Sequence, residues 1–162
     1  MTNLTVDPIV NAETAALAGD GGVDGETHAA DEQQLLAACQ EIGGCAPGGA
    51  VVTPGFELAA KYVIHAVGPI WLAGRVQEAE LLASCYRNCM KIARDMQFGS
   101  IAFSAISCGV YGFPIEQAAQ IAVATVSEEL ATSPCMKHVD FVCFGDVVEA
   151  AYRLALQSVL ER

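Results

Sequence analysis

Two short stretches of this chain place glycines around groups that suit phosphate and sugar chemistry. The first is Gly19-Asp20-Gly21-Gly22-Val23-Asp24-Gly25, between an apolar run and a helical pattern. Glycines reach backbone angles closed to other residues. Amide N–H groups at a helix start have no partner inside the helix and meet phosphate oxygens readily. Asp24 lies among those amides, a setting that favours its ionised form. Asp24 is equally a helix cap after a flexible turn. On these residues alone both readings stay open.

The second stretch is Ser107-Cys108-Gly109-Val110-Tyr111-Gly112-Phe113-Pro114, which also follows an apolar strand and precedes a helix. Its amides suit the other side of a diphosphate, and the Tyr111 ring and hydroxyl suit a sugar. Alone it reads as a tight turn with a packed aromatic. Two such loops at strand-to-helix junctions point instead to one anionic ligand held between them. Cys108 invites a nucleophile reading, but no histidine stands beside it in sequence, and a small structural thiol is the expectation. His65 sits in an apolar strand and reads as a hydrogen-bonded core residue. His28 reads as packing or capping, and Trp71, Tyr86 and Arg87 as packing anchors.

The rest of the chain must hold these loops. It has 162 residues, 53% hydrophobic and 17% charged, enough for a core without staples. One domain spanning 1–162 is expected, since no repeat or linker interrupts it. The first residues have no basic region and no apolar core, so a cytoplasmic location is expected. A net charge of −11 disfavours nucleic acid as a partner, and no apolar run suits a membrane. Backbone amides can still bind a small anion. Seven cysteines with no CxxC pair indicate reduced, mostly buried thiols and no metal ribbon.

Strands are expected at 8–12, 50–53, 61–67, 100–106 and 138–144. Helices are expected at about 26–42, 77–97, 114–131 and 147–160, from apolar residues such as Leu81, Leu82, Cys85, Cys89 and Ile92 at helical spacing. Strands this apolar are covered on both faces, which gives an α/β fold with helices on either side of a central sheet. In such sheets, ligands sit beyond the carboxyl ends of strands.

Four ordered motifs carry a family resemblance. They are Val6-Asp7-Pro8-Ile9-Val10-Asn11-Ala12 with Gly21-Gly22-Val23-Asp24-Gly25 and His28; Ile64-His65-Ala66-Val67-Gly68-Pro69-Ile70-Trp71; Cys85-Tyr86-Arg87-Asn88; and Ile101 through Pro114. Together they resemble the macro domain family, and within it the bacterial MacroD-type. The resemblance runs from about residue 4 to residue 156.

It implies a three-layer α/β/α fold with a mixed, mostly parallel sheet. It also implies binding of ADP-ribose, with hydrolysis of its esters: O-acetyl-ADP-ribose or ADP-ribosylated acidic side chains of proteins. No cofactor or metal is implied. Asn11 would sit near the distal ribose, with the amides of Gly21, Gly22, Val23 and Asp24 facing that ribose and its phosphate. Asp24 would orient the catalytic water. The amides of Ser107, Cys108, Gly109, Val110 and Tyr111 would hold the diphosphate, Tyr111 would pack on the distal ribose, and Phe144 would stack on adenine.

Three departures bear on activity. The family's Asn-Ala-Ala-Asn reads Asn11-Ala12-Glu13-Thr14 here. Thr14 at the second asparagine's catalytic position offers one short hydroxyl in place of an amide's two ends. Glu13 is an added charge, either solvated or intruding. The family's first strand, with its adenine-reading aspartate, has no counterpart before Met1, which would leave a sheet edge open. Asp20 adds a negative charge in the first loop, on the order of 1–3 kcal/mol against a diphosphate at ~6 Å and an effective dielectric of ~20–80. The resemblance therefore leaves a second reading, a non-catalytic ADP-ribose reader.

Overall fold

The computed structural model describes residues 6–17 and 32–161. In chain order these form β1 (Pro8–Ala12), α1 (Glu32–Ile42), β2 (Ala50–Pro54), β3 (Tyr62–Ala66), α2 (Glu78–Asp95), β4 (Ser100–Ser104), α3 (Ile115–Leu130), β5 (His138–Val142) and α4 (Asp146–Leu160). Every predicted element with described residues is present. The strands read as 61–67, 100–106 and 138–144 end sooner, because the chain turns into loops there.

The sheet order is β2-β3-β1-β4-β5. β1 runs parallel to both β3 and β4, and β5 runs parallel to β4. β2 alone is antiparallel, paired with β3. The carboxyl ends of β1, β3, β4 and β5 therefore gather at one end of the sheet. Asp7 ties the opposite end. Its carboxylate accepts from Gly99 N at 2.8 Å and its carbonyl from Tyr62 N at 3.1 Å.

Side chains alternate along each strand and face two different layers. Val10, Ile64, Ala66, Ile101 and Phe103 pack with Leu82, Tyr86 and Met90 of α2, Ala118, Ala122 and Val126 of α3, and Tyr152 of α4. Ile9, Val63 and Ala102 point the other way, against Leu35 of α1. The fold is thus three-layered α/β/α with a mixed, mostly parallel sheet. Among the described residues, no helix is long and apolar enough to cross a membrane.

Two packing expectations need correction. Arg87 is exposed and pairs with Glu80 on the surface of α2, while its neighbour Tyr86 is fully buried. The thiols are all free, but only Cys39, Cys85 and Cys89 are buried. Cys135 is exposed because it lies in the loop between α3 and β5.

Candidate functional site

The second glycine loop leaves the carboxyl end of β4. Ser107 adopts a left-handed φ of 64°, and Gly112 one of 70°. Three bonds close the loop on itself: Cys108 N to Ala105 O at 3.3 Å, Gly112 N to Gly109 O at 3.0 Å, and Phe113 N to Ser107 O at 3.0 Å. Gly109 and Val110 form the tip. Their N–H groups make no backbone hydrogen bond among the described residues, and the Val110 side chain is fully exposed. Pro114 then leads into α3. The result is a glycine loop at a strand-to-helix junction, with the Gly109 and Val110 N–H groups at its tip and the Cys108 N–H turned back onto Ala105 O.

A neighbouring segment braces this loop. Ser107 Oγ donates to Pro69 O at 2.9 Å, and Trp71 N donates to Tyr111 O at 2.9 Å. The Trp71 ring packs on Phe113 with centroids 4.8 Å apart. The brace is itself held by Glu78, a carboxylate with no exposed surface that accepts from the backbone N–H groups of Leu72 at 2.6 Å, Gly74 at 3.1 Å and Val76 at 3.2 Å. Burial pushes this carboxyl up, but the backbone donors outweigh it and hold it below its ordinary value. Nothing in the sequence separated Glu78 from the other acidic residues that open α2.

Cys108 is half-buried, and burial raises its thiol to about 11. A thiol so raised is a poor nucleophile at neutral pH, which agrees with the structural reading. Tyr111 is half-buried beside the tip, and Phe144 is half-exposed just beyond β5. Both stand at the carboxyl end of the sheet.

Asn11 lies at the same end, fully buried on β1. It is part of a polar group under α1. Glu13 Oε1 accepts from Asn11 Nδ2 at 3.1 Å and lies 2.6 Å from His65 Nδ1. His65 Nε2 lies 2.9 Å from Thr53 Oγ1. Cys39 Sγ is 3.7 and 3.8 Å from the two ring nitrogens. A sulfur nearly equidistant from both does not lie along either N–H. Burial lowers the His65 pKa, but Cys39 and Glu13 outweigh it and the net shift is upward. His65 is therefore the hydrogen-bonded core residue that the sequence suggested, and Glu13 is the intruding charge rather than the solvated one.

Glu13, Cys39 and His65 bring ligand-type atoms within 4.8 Å of one another. Ligands on one tetrahedral zinc with ~2.0 Å bonds stand about 3.3 Å apart. The 2.6 Å spacing of Oε1 and Nδ1 is instead that of a charge-assisted hydrogen bond. The sequence offered one signal for it: a carboxylate and an imidazole, each inside an apolar run.

Thr14 is half-buried, and its hydroxyl is enclosed with no hydrogen-bond partner among the described residues. The same is true of Ser104 Oγ at the end of β4. Gly21, Gly22, Val23 and Asp24, with Asp20 and His28, lie outside the described residues.

The loop, its brace and Asn11 thus stand at one end of a three-layered fold, and comparison with known proteins agrees with that fold. The family model described as "Macro domain" matches residues 10–122. A macro domain-containing protein of Chlorobaculum tepidum is 52% identical over 158 residues, covering 98% of this chain and 92% of its own. The O-acetyl-ADP-ribose deacetylase of Salmonella newport is 51% identical over 163 residues, covering 98% and 91%. A variant Oceanobacillus iheyensis macrodomain solved with ADPR superposes with a TM-score of 0.94 at 38% identity, covering 99% of this chain and 90% of that one. A matched stretch running from β1 into α3, and relatives similar over nearly their whole length, place this chain in the macro domain family.

Proposed function

We propose that this protein binds ADP-ribose at the carboxyl end of its sheet and hydrolyses ADP-ribose esters. O-acetyl-ADP-ribose and mono-ADP-ribosylated acidic side chains of proteins are the two substrate types. The observation that carries the reading is the loop from Ser107 to Tyr111, which lies at a strand-to-helix junction with the Gly109 and Val110 N–H groups in no backbone hydrogen bond among the described residues. Backbone amides at such a junction bind a diphosphate without a basic side chain, which suits a chain of net charge −11. The relatives named O-acetyl-ADP-ribose deacetylase support the ester chemistry.

Within this reading the amides of Gly21 through Asp24 serve the distal ribose and its phosphate. Asp24 holds the attacking water, Asn11 and Thr14 bond near the ribose, Tyr111 packs on it and Phe144 covers the adenine. The chemistry needs no redox step: water adds to the ester carbonyl, the acyl–oxygen bond breaks, and the ribose hydroxyl leaves with a proton.

A reader module without turnover is the second reading. Thr14 favours it, because a single hydroxyl replaces the amide at the family's catalytic asparagine position. Calorimetry with ADP-ribose, ADP and AMP tests binding, and hydrolysis of O-acetyl-ADP-ribose by the wild type and Asp24→Ala tests turnover. Micromolar binding, about −8 kcal/mol, with turnover lost on Asp24→Ala supports the hydrolase. Equal binding without turnover in either protein supports the reader. No binding at millimolar ligand defeats both.

A further inference from the structure

Asn11 and His65 are register partners on adjacent parallel strands. Glu13 follows β1 by one residue, and its own N–H is fixed on Ala66 O at 2.8 Å. From that anchored backbone, one carboxylate oxygen takes His65 Nδ1 at 2.6 Å and Asn11 Nδ2 at 3.1 Å. His65 is in turn held at its other nitrogen by Thr53. All four residues are buried.

An ionised carboxylate has acceptors and no donor. Asn11 can meet it only through its amino group, so the amide cannot flip without placing two acceptors against each other in a site closed to water. The amide carbonyl must then point away from Glu13. We propose that Glu13, braced by His65, is a positioning residue that locks the Asn11 amide with its carbonyl turned away from Glu13, so that at the point where ligand meets it Asn11 selects a hydroxyl donor over a phosphate oxygen. The inference rests on the placement of Asn11 beside the distal ribose proposed above. ADP ends in a phosphate where ADP-ribose continues into a sugar. A locked acceptor at that point therefore raises preference for ADP-ribose over ADP without changing affinity for the shared ADP portion.

Two readouts test it on the full-length chain, using Glu13→Ala and Glu13→Gln. The first is the Asn11 side-chain amide in a 15N spectrum, assigned by its disappearance in Asn11→Ala. The second is the ratio of ADP to ADP-ribose dissociation constants by calorimetry. In Glu13→Ala the amide protons are expected to lose their protection from exchange. The ratio is expected to fall about tenfold, through ADP-ribose alone. Glu13→Gln keeps an acceptor but not the charge that holds His65, and is expected to fall between the wild type and Glu13→Ala.

A folded Glu13→Ala with an unchanged Asn11 amide and an unchanged ratio would overturn the proposal. If Glu13→Ala does not fold, Glu13→Gln decides: its ratio must fall by about threefold or more, and wild-type values would overturn the proposal. A wild type that does not distinguish ADP-ribose from ADP would defeat the placement of the ribose beside Asn11. The amide spectrum would then still decide whether Glu13 locks Asn11.

Discussion

Gly68 lies directly against Ser107. A Cβ at position 68 would come within 2.6 Å of Ile106 Cγ2 and closer still to Ser107 Oγ. Ser107 has a left-handed φ of 64° and its hydroxyl on Pro69 O, so it has no room to retreat. Gly68→Ala is expected to push the second loop off its brace. Overpacking of this kind costs about 1–3 kcal/mol, and ADP-ribose affinity should drop about tenfold. Urea titration and calorimetry read the two effects, and a variant with wild-type affinity would show that the brace does not shape the loop.

The His65 pKa is raised, with Glu13 Oε1 and Cys39 Sγ facing the ring and the Thr53 hydroxyl on its far nitrogen. A raised histidine contributes stability that is fully present below its unfolded value of about 6.5 and is lost as pH rises through the folded value. The urea midpoint of the wild type should therefore fall from pH 6 toward alkaline pH relative to His65→Gln. A constant difference between the two proteins across that range would remove the imidazole from the account. Glu13→Ala should cost about 3–5 kcal/mol, the usual result of leaving a buried charge without its partner.

Glu78 holds three backbone N–H groups of the brace with a lowered pKa. Its stabilisation is present above the ordinary carboxylate value and is lost as pH falls through the lowered one. Glu78→Gln can accept through one oxygen only. Hydrogen exchange at the amides of Leu72, Gly74 and Val76 should accelerate at neutral pH, and wild-type to Glu78→Gln stability should converge on acidification. Unchanged exchange at all three amides would show that the segment holds its shape without the carboxylate.

Cys108 sits in the loop with a thiol raised by burial to about 11, so Cys108→Ser is expected to keep hydrolysis of O-acetyl-ADP-ribose within about threefold. A loss of a thousandfold would restore the nucleophile reading. Alkylation at neutral pH should reach Cys135 first, since it alone among the seven is exposed.

The layered fold was legible because its signals are local. Apolar strands such as Tyr62–Ala66 and helical spacing such as Leu82, Cys85 and Cys89 name their elements without reference to anything distant. The second glycine loop was legible for the same reason, since strand, glycines and Pro114 follow one another directly. The polar group under α1 was not. Thr53, His65, Glu13 and Cys39 come from four segments, and only the strand order brings them together. Glu13 alone could be read two ways, because a charge beside Thr14 faces water or the core according to where the chain turns. Glu78 was hidden for a similar reason: an acidic residue in the first turn of a helix is ordinary, and its three amide partners are visible only once the preceding loop has folded back.

The sheet order also has a consequence for how the chain is made. β1 is the middle strand, yet its partners are β3 and β4, at residues 62–66 and 102–103. During synthesis from the N-terminus, the strand bearing Asn11 waits some fifty residues for its partner on one side and some ninety for its partner on the other. Parallel pairing at such separations is slow to form, and an apolar strand left waiting is open to capture by another chain. The ligand end of the molecule therefore cannot come into being before the Ser107–Tyr111 loop that follows β4 has left the ribosome, and truncated chains ending before it should be recovered as aggregates rather than as folded fragments.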